Sequence, residues 1–324
     1  MKRISITLTL LSTFAALAQA QVDFSVLSVN EESGIEFTRI TSDNDYVCMP
    51  MVKRFGGKID WMSNRILDIS TDGKQLAYLS IRNNTTNIFI KDIDRQGSSV
   101  QRTNRQKVLD FSYSPNGRYI CFSETSGKLN QIFQTDARNG YVCRQITSNN
   151  NDYTPVYSPD MSNIFFARKE KSGASIWSYN ITNNFLSSYT RGMNPYPLDK
   201  SGALLCTRAN AEGRSEIWRV NFSTGLEECI LADPTRSFTT PSLSPDGAWI
   251  LFVGSNVLTN GSQRYANTDI FVCRTDGTQL MQLTYHAADD LSPVWSRDGK
   301  FIYFISQRGS STATANVWRM PFIH

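Results

Sequence analysis

The chain carries two histidines in 324 residues, His286 and the terminal His324. One mid-chain imidazole cannot build a multi-histidine metal site. Neither a metal nor another cofactor is therefore expected. Charge of one sign is also scarce: 33 Lys and Arg stand against 29 Asp and Glu, and two of the basic residues are Lys2 and Arg3. So small an excess gives no footprint for nucleic acid or an anionic membrane. No Gly-rich phosphate loop and no Gly-x-Ser-x-Gly elbow occur, which removes the commonest nucleotide and serine-hydrolase chemistries. No linker-like or low-complexity stretch divides the chain. The one long apolar run, residues 4–17, falls short of the roughly 20 residues that a membrane span needs. Met1-Lys2-Arg3 precedes it and Ala18-Gln19-Ala20 follows it, the pattern of a secretory leader cleaved before Gln21. Residues 1–20 are therefore read as a leader, and the mature chain as periplasmic or secreted, without a membrane span.

Six cysteines in an exported chain would permit three disulfides. Their spacing argues against that. Cys121 and Cys206 each follow a turn glycine by four residues, and Cys143 and Cys229 fall in the last strand of a repeat. These are expected to be free thiols behaving as small hydrophobes. Cys48, in a loop, is the expected exception.

What the chain does have is repetition. Asp290-Leu-Ser-Pro-Val-Trp-Ser-Arg-Asp-Gly-Lys-Phe-Ile-Tyr-Phe-Ile-Ser306 has a near copy in Thr240-Pro-Ser-Leu-Ser-Pro-Asp-Gly-Ala-Trp-Ile-Leu-Phe-Val253, and another at 152–167. Each copy is a β-rich run ending in Ser, a Ser-Pro-Asp-Gly type turn, and a second apolar run. Pro presets φ at the turn corner and Gly takes the positive φ. A third strand follows with a β-branched residue before an aromatic: Ile88-Phe89, Ile132-Phe133, Ile176-Trp177, Ile217-Trp218, Ile270-Phe271 and Val317-Trp318. A fourth strand closes in forms such as Gln145-Ile-Thr147 and Gln282-Leu-Thr284. The anchor serines, or their equivalent, are Ser70, Ser114, Ser158, Asp199, Ser244 and Ser296. They recur about every 45 residues, the period of a four-stranded propeller blade. The fold expected is all-β, a single six-bladed propeller over residues 35–324 preceded by an extension at 21–34. The last blade lacks a fourth strand, and Arg39-Ile-Thr41 is expected to supply it and close the ring.

These motifs resemble the TolB-like repeat propellers, whose pattern is Pro-x-Trp-Ser-Pro-Asp-Gly-Lys, an Ile-aromatic strand, an Asp-Gly turn and Leu-Thr. Residues 293–300 carry it as Pro-Val-Trp-Ser-Arg-Asp-Gly-Lys. The resemblance covers residues 35 to 320 and implies the propeller fold and an envelope setting. The family's namesake carries an α/β domain ahead of its propeller, and contacts made through such a domain are not carried over.

In a propeller, the first-to-second and third-to-fourth strand turns share one face. The repeated turns place a structural role there, and function is expected on the opposite, variable face. The longest variation on that face lies between Thr41 and Ser70. It offers Tyr46, Met49, Met51, Lys53, Arg54, Phe55 and Trp61, an aromatic, Met and basic mixture typical of interface cores; the same loop could instead plug the channel. Asp152, Tyr153, Arg208, His286, Asp289, Asp290 and Arg308 are further candidates on this face. Asp152 and Asp290 occupy one repeated position, which also fits a repeated structural bond. The stretch from Gly254 to Thr268 reads as a polar, mobile loop. The function expected is a non-catalytic envelope module, monomeric, that binds a protein or an envelope polymer. The alternative is an exported hydrolase or lyase acting on carbohydrate, with His286, Asp289 and Asp290 at the channel mouth.

Overall fold

The computed structural model describes residues 32–323 except 33, 50–51, 56–57, 62–64, 96, 141–142, 172, 200–201, 261–262 and 311–313. The expected leader lies outside them. Six four-stranded antiparallel sheets follow one another along the chain. Blade 1 runs from Leu67 to Gln101, blade 2 from Val108 to Gln145 and blade 3 from Asp152 to Arg191. Blade 4 runs from Met193 to Leu231, blade 5 from Phe238 to Gln282, and blade 6 from Asp290 to Pro321 with Thr38–Arg39 as its fourth strand. The first strand of each blade packs against that of the next, and that of blade 6 against that of blade 1. The ring is closed.

The third strands explain the core. Ile88, Ile132, Ile176, Ile217, Ile270 and Val317, the β-branched residues before the aromatics, are each 0% exposed. Six equivalent side chains thus fill the space between sheets, each burial stabilising by roughly 1.5–3 kcal/mol. The aromatic partner points to the opposite side of its sheet, as the strand period of two requires.

Two repeated polar devices fix the blades. At the first turn, the serines of blades 1, 3, 5 and 6 donate to the Asp two residues on, at 2.5–2.6 Å; in blade 2, Ser114 donates to Asn116 at 2.8 Å. The same hydroxyls accept the amide five residues on, at 2.8–2.9 Å. At the end of the fourth strand, the Thr103, Thr147 and Thr284 hydroxyls accept the amides of Ile88, Ile132 and Ile270 at 3.0 Å. The seam repeats that bond. Thr41 Oγ1 accepts the Val317 amide at 2.8 Å and donates to Asn316 at 3.0 Å, and Arg39 pairs with Trp318.

Three expectations are corrected. The anchor of blade 4 is Leu198, not Asp199: the Leu198 amide makes, at 2.8 Å, the bond to the carbonyl five residues on that marks every anchor. The degenerate turn hid a one-residue shift. The stretch from Gly254 to Thr268 is not an open loop: strands Trp249–Asn260 and Gln263–Arg274 stay paired out to Asn260 and Gln263. Val257, Thr259 and Tyr265 are good strand formers, and they prolong the ladder of blade 5. Cys48 is buried and Cys229 exposed, the reverse of the expected exception. Burial pushes the thiols of Cys48, Cys121, Cys206 and Cys273 up to about 12, so they are inert.

Candidate functional site

The channel mouth on the repeated-turn face is a funnel of about 460 Å³ to which all six blades contribute. Its wall comes from the last residues of the six first strands, just ahead of the turns. Tyr113, Tyr157, Tyr196, Leu243 and Trp295 make it largely aromatic, and Pro115, Pro159 and Pro245 rim it. The repeated turn is a backbone device. The residue just ahead of each anchor is not fixed by the repeat: it is Ile69, Tyr113, Tyr157, Pro197, Leu243 and Trp295 in turn.

Charged groups at the funnel are tied down. Arg297, standing where other turns have Pro, crosses from blade 6 to blade 1. Its guanidinium donates to the carbonyls of Ile69 and Ser70 and lies 3.8 Å from Asp68. Arg65 of blade 1 reaches the opposite blade, donating to the Pro195 carbonyl at 3.5 Å and lying over the Tyr196 ring at 5.7 Å. Asp110 lies nearby, fully buried, and burial pushes its carboxyl up to about 6 while the Ser123 hydroxyl donates to it at 2.5 Å.

Three buried polar atoms of the funnel residues make no hydrogen bond among the described residues: Tyr113 Oη, Ser242 Oγ and Trp295 Nε1. Each such group costs about 1–3 kcal/mol when left unpaired. The backbone is irregular around the axis as well. Thr154, Asn194, Thr240 and Ser292 take φ of 50, 51, 53 and 52°, and the first strands of blades 3 to 6 shift register there. A Thr in left-handed backbone is held by its surroundings, and such outliers collect at binding sites.

None of the described residues singled out from sequence lines the funnel. Tyr46 is 55% exposed, with Arg82 5.7 Å from its ring. The carbonyl of Tyr46 accepts from Ile81 and the amide of Cys48 donates to Leu79, so this half of the seam loop straps onto blade 1. Met49 packs against two core clusters at once, one shared by blades 6, 1 and 2 and the other by blades 5 and 6. Met51 lies outside the described residues. Lys53, Arg54, Phe55 and Trp61 fall in a hairpin, Val52–Phe55 with Lys58–Trp61, where the sequence suggests a loop; its side chains lie outside the described set.

Asp152 is fully buried and holds Arg168 through both oxygens, at 2.7 and 3.0 Å. Tyr153 is buried beside it. Asp290, also fully buried, holds Arg308 at 2.6 Å, and Glu32 holds the same guanidinium at 3.0 and 3.3 Å. Arg308 lies 4.0 Å over the Phe37 ring, so the pair locks the incoming N-terminal segment to blade 6. His286 is buried, its Nδ1 accepting the Ala288 amide at 3.0 Å. Asp289 accepts from the amide and hydroxyl of Thr268 at 3.1 and 2.9 Å. The suggested acid/base trio is thus engaged in separate internal bonds.

Arg208 differs. It is held at 2.8 Å by both oxygens of Glu227, which is 46% exposed, and it borders a pocket of about 620 Å³ lined by blade 4 and its neighbours, blades 3 and 5. Sequence reading reached Arg208 but neither the pocket nor the funnel. The signal for the funnel was present in the differing residues just before each turn.

A family model described as the TolB beta propeller domain matches residues 62–260. The Tol-Pal system protein TolB of Francisella tularensis subsp. mediasiatica is 25% identical over 244 residues, covering 72% of this chain and 54% of that protein. The chain spans about half the length of the curated relatives it matches. Among solved structures, TolB from Acinetobacter baumannii superposes with a TM-score of 0.55 at 17% identity, over 74% of this chain and 58% of that one. An oligogalacturonate lyase from Vibrio parahaemolyticus superposes with a TM-score of 0.59 at 12% identity, over 92% and 96%. At such identities the structural likeness speaks for the fold alone.

Proposed function

The chain belongs to the TolB β-propeller domain family, and on that premise we propose that it is a non-catalytic protein-binding module of the cell envelope, receiving a partner segment in the funnel. The observation that carries this reading is the set of unpaired polar atoms at Tyr113, Ser242 and Trp295 in an aromatic, six-sided wall. A polypeptide offers both the apolar side chains that such a wall takes and the carbonyls and amides that its polar atoms lack. The leader-like residues 1–20 support a periplasmic location. Among the described residues no helix is long and apolar enough to cross a membrane. Curated relatives are named as proteins of a Tol–Pal system, so the Tol and Pal proteins of the same cell are the first partners to try.

The test is binding of those purified proteins by wild type and by Pro159→Arg/Pro245→Arg. Both prolines are exposed at turn corners, and blade 6 itself carries Arg297 at that corner, so the fold tolerates the change. Loss of binding by the double variant supports the reading. Equal binding by both proteins places the partner elsewhere, and the seam hairpin with Lys53, Arg54, Phe55 and Trp61 becomes the surface to test.

A further inference from the structure

Blade 4 departs from blade 3 at one chemically telling place. In blade 3, Asp152 lies six residues before the anchor and pairs across the sheet with Arg168, whose guanidinium it holds. In blade 4, six residues before the anchor Leu198 stands Gly192, and the residue facing it is Arg208. Gly192 has a φ of 139°, and a Cβ there would sit 2.9 Å from the Thr207 carbonyl oxygen. The site therefore has the arginine and no room on the chain for the aspartate. Arg208 turns instead to the half-exposed Glu227 and to the Thr190 hydroxyl at 2.7 Å. The space that opens is the pocket of about 620 Å³, within the roughly 300–1,000 Å³ usual for small-molecule sites.

We propose that this pocket binds a small hydroxylated carboxylate, whose carboxylate supplies to Arg208 and Arg191 the negative charge that Asp152 supplies to Arg168. Arg191 is exposed, borders the pocket, and makes no side-chain ion pair or hydrogen bond among the described residues. Arginine takes a carboxylate through two parallel N–H bonds. Asn194, which is 3% exposed, donates its Nδ2 to Thr207 and Thr239 at 3.1 and 2.9 Å. That fixes its Oδ1 as an acceptor, the partner a ligand hydroxyl needs. Glu227 then acts as an internal stand-in that an incoming carboxylate displaces. A half-exposed ion pair is worth little, on the order of 0–1 kcal/mol, so displacement is cheap. The pocket lies on the face opposite the funnel, and this site is independent of the protein-binding reading.

The probe is L-tartrate, with L-threitol as the same carbon skeleton lacking carboxylates, titrated calorimetrically into the full chain to about 10 mM, enough to saturate a millimolar site. Wild type is expected to bind tartrate and not threitol. Arg191→Gln, an exposed and unpaired position, is expected to weaken tartrate at least about tenfold, the value of one charge-assisted contact. Glu227→Gln, which frees Arg208, is expected to tighten it severalfold, an outcome that a merely structural Arg208–Glu227 pair does not give. Absence of tartrate binding, equal binding of threitol, or tartrate binding unchanged in both variants overturns the proposal.

Discussion

Blades 4 and 6 set the limits of what this repeat tolerates. Blade 6 is assembled from two ends of the chain, yet it keeps both polar devices: the Ser296–Asp298 turn and the Thr41 hydroxyl on the Val317 amide. It adds a buried Asp290–Arg308–Glu32 cluster and the Arg297 stitch into blade 1. Blade 4 is continuous and keeps neither device. Leu198 replaces the anchor hydroxyl, and Leu231 lies where other blades place the closing Thr, opposite Ile217. Where the chain cannot hold a sheet together covalently, side chains do so. Where it can, the sequence drifts, and a pocket opens in the slack. The difference is energetic as well. Arg308 is 5% exposed with a fully buried partner, whereas Arg208 is held by a carboxylate that water reaches.

Substitutions should separate the two blades sharply. The largest effect is expected for Asp290→Ala, which leaves the buried Arg308 charge with Glu32 alone. About 3–5 kcal/mol should be lost, measured by urea unfolding; a loss no greater than for Arg208→Gln would erase the contrast. Next comes Asp110→Asn, which probes a buried carboxyl on blade 2, a blade that keeps both polar devices. Burial raises its pKa from 3.8 to about 6. The folded protein therefore holds the proton that the unfolded chain releases, and Asp110 favours folding only while protonated. Its contribution is present below pH 4 or so and is lost as pH rises through about 6. The asparagine variant should thus match wild type at the acid end and exceed it by about 3 kcal/mol at pH 7, at 1.36 kcal/mol per unit. A constant difference across pH would contradict that assignment.

Smaller, Thr41→Val should cost about 1–3 kcal/mol, because the Val317 amide and Asn316 lose a buried partner. Thr190→Val on blade 3, whose hydroxyl serves an exposed pair, should cost less than half as much in the same urea unfolding series. Smallest of all, Glu227→Gln should change stability by under about 1 kcal/mol.

The fold was legible because each blade states it locally. A turn that needs Gly, a β-branched residue before an aromatic, and a closing Thr each have one structural use, and six repetitions remove the ambiguity of any single copy. Even the seam could be read, since Arg39-Ile-Thr41 carries the same closing Thr as Thr147. Blade 4 was read one residue out because Leu198 had lost the hydroxyl that marks an anchor. The repeated Asp152 and Asp290 were open to either a binding or a structural reading, and their geometry is that of buried pairs. The funnel escaped notice for a different reason. Its members, among them Tyr113, Tyr196 and Trp295, come from blades far apart in sequence and share only a place beside a turn that looked purely structural. The pocket was hidden by an absence, a glycine where the neighbouring blade has aspartate, and absences become visible only once the register is fixed.

The two faces can be set against each other in one measurement: hydroxyl-radical footprinting of the protein alone and with a bound Tol or Pal partner, read at Tyr196 and Leu243 in the funnel and at Trp218 and Tyr46 on the other side. Protection confined to Tyr196 and Leu243 is the result expected if the partner enters by the turn face. Protection of Trp218 or Tyr46, with the funnel residues as reactive as before, would contradict it.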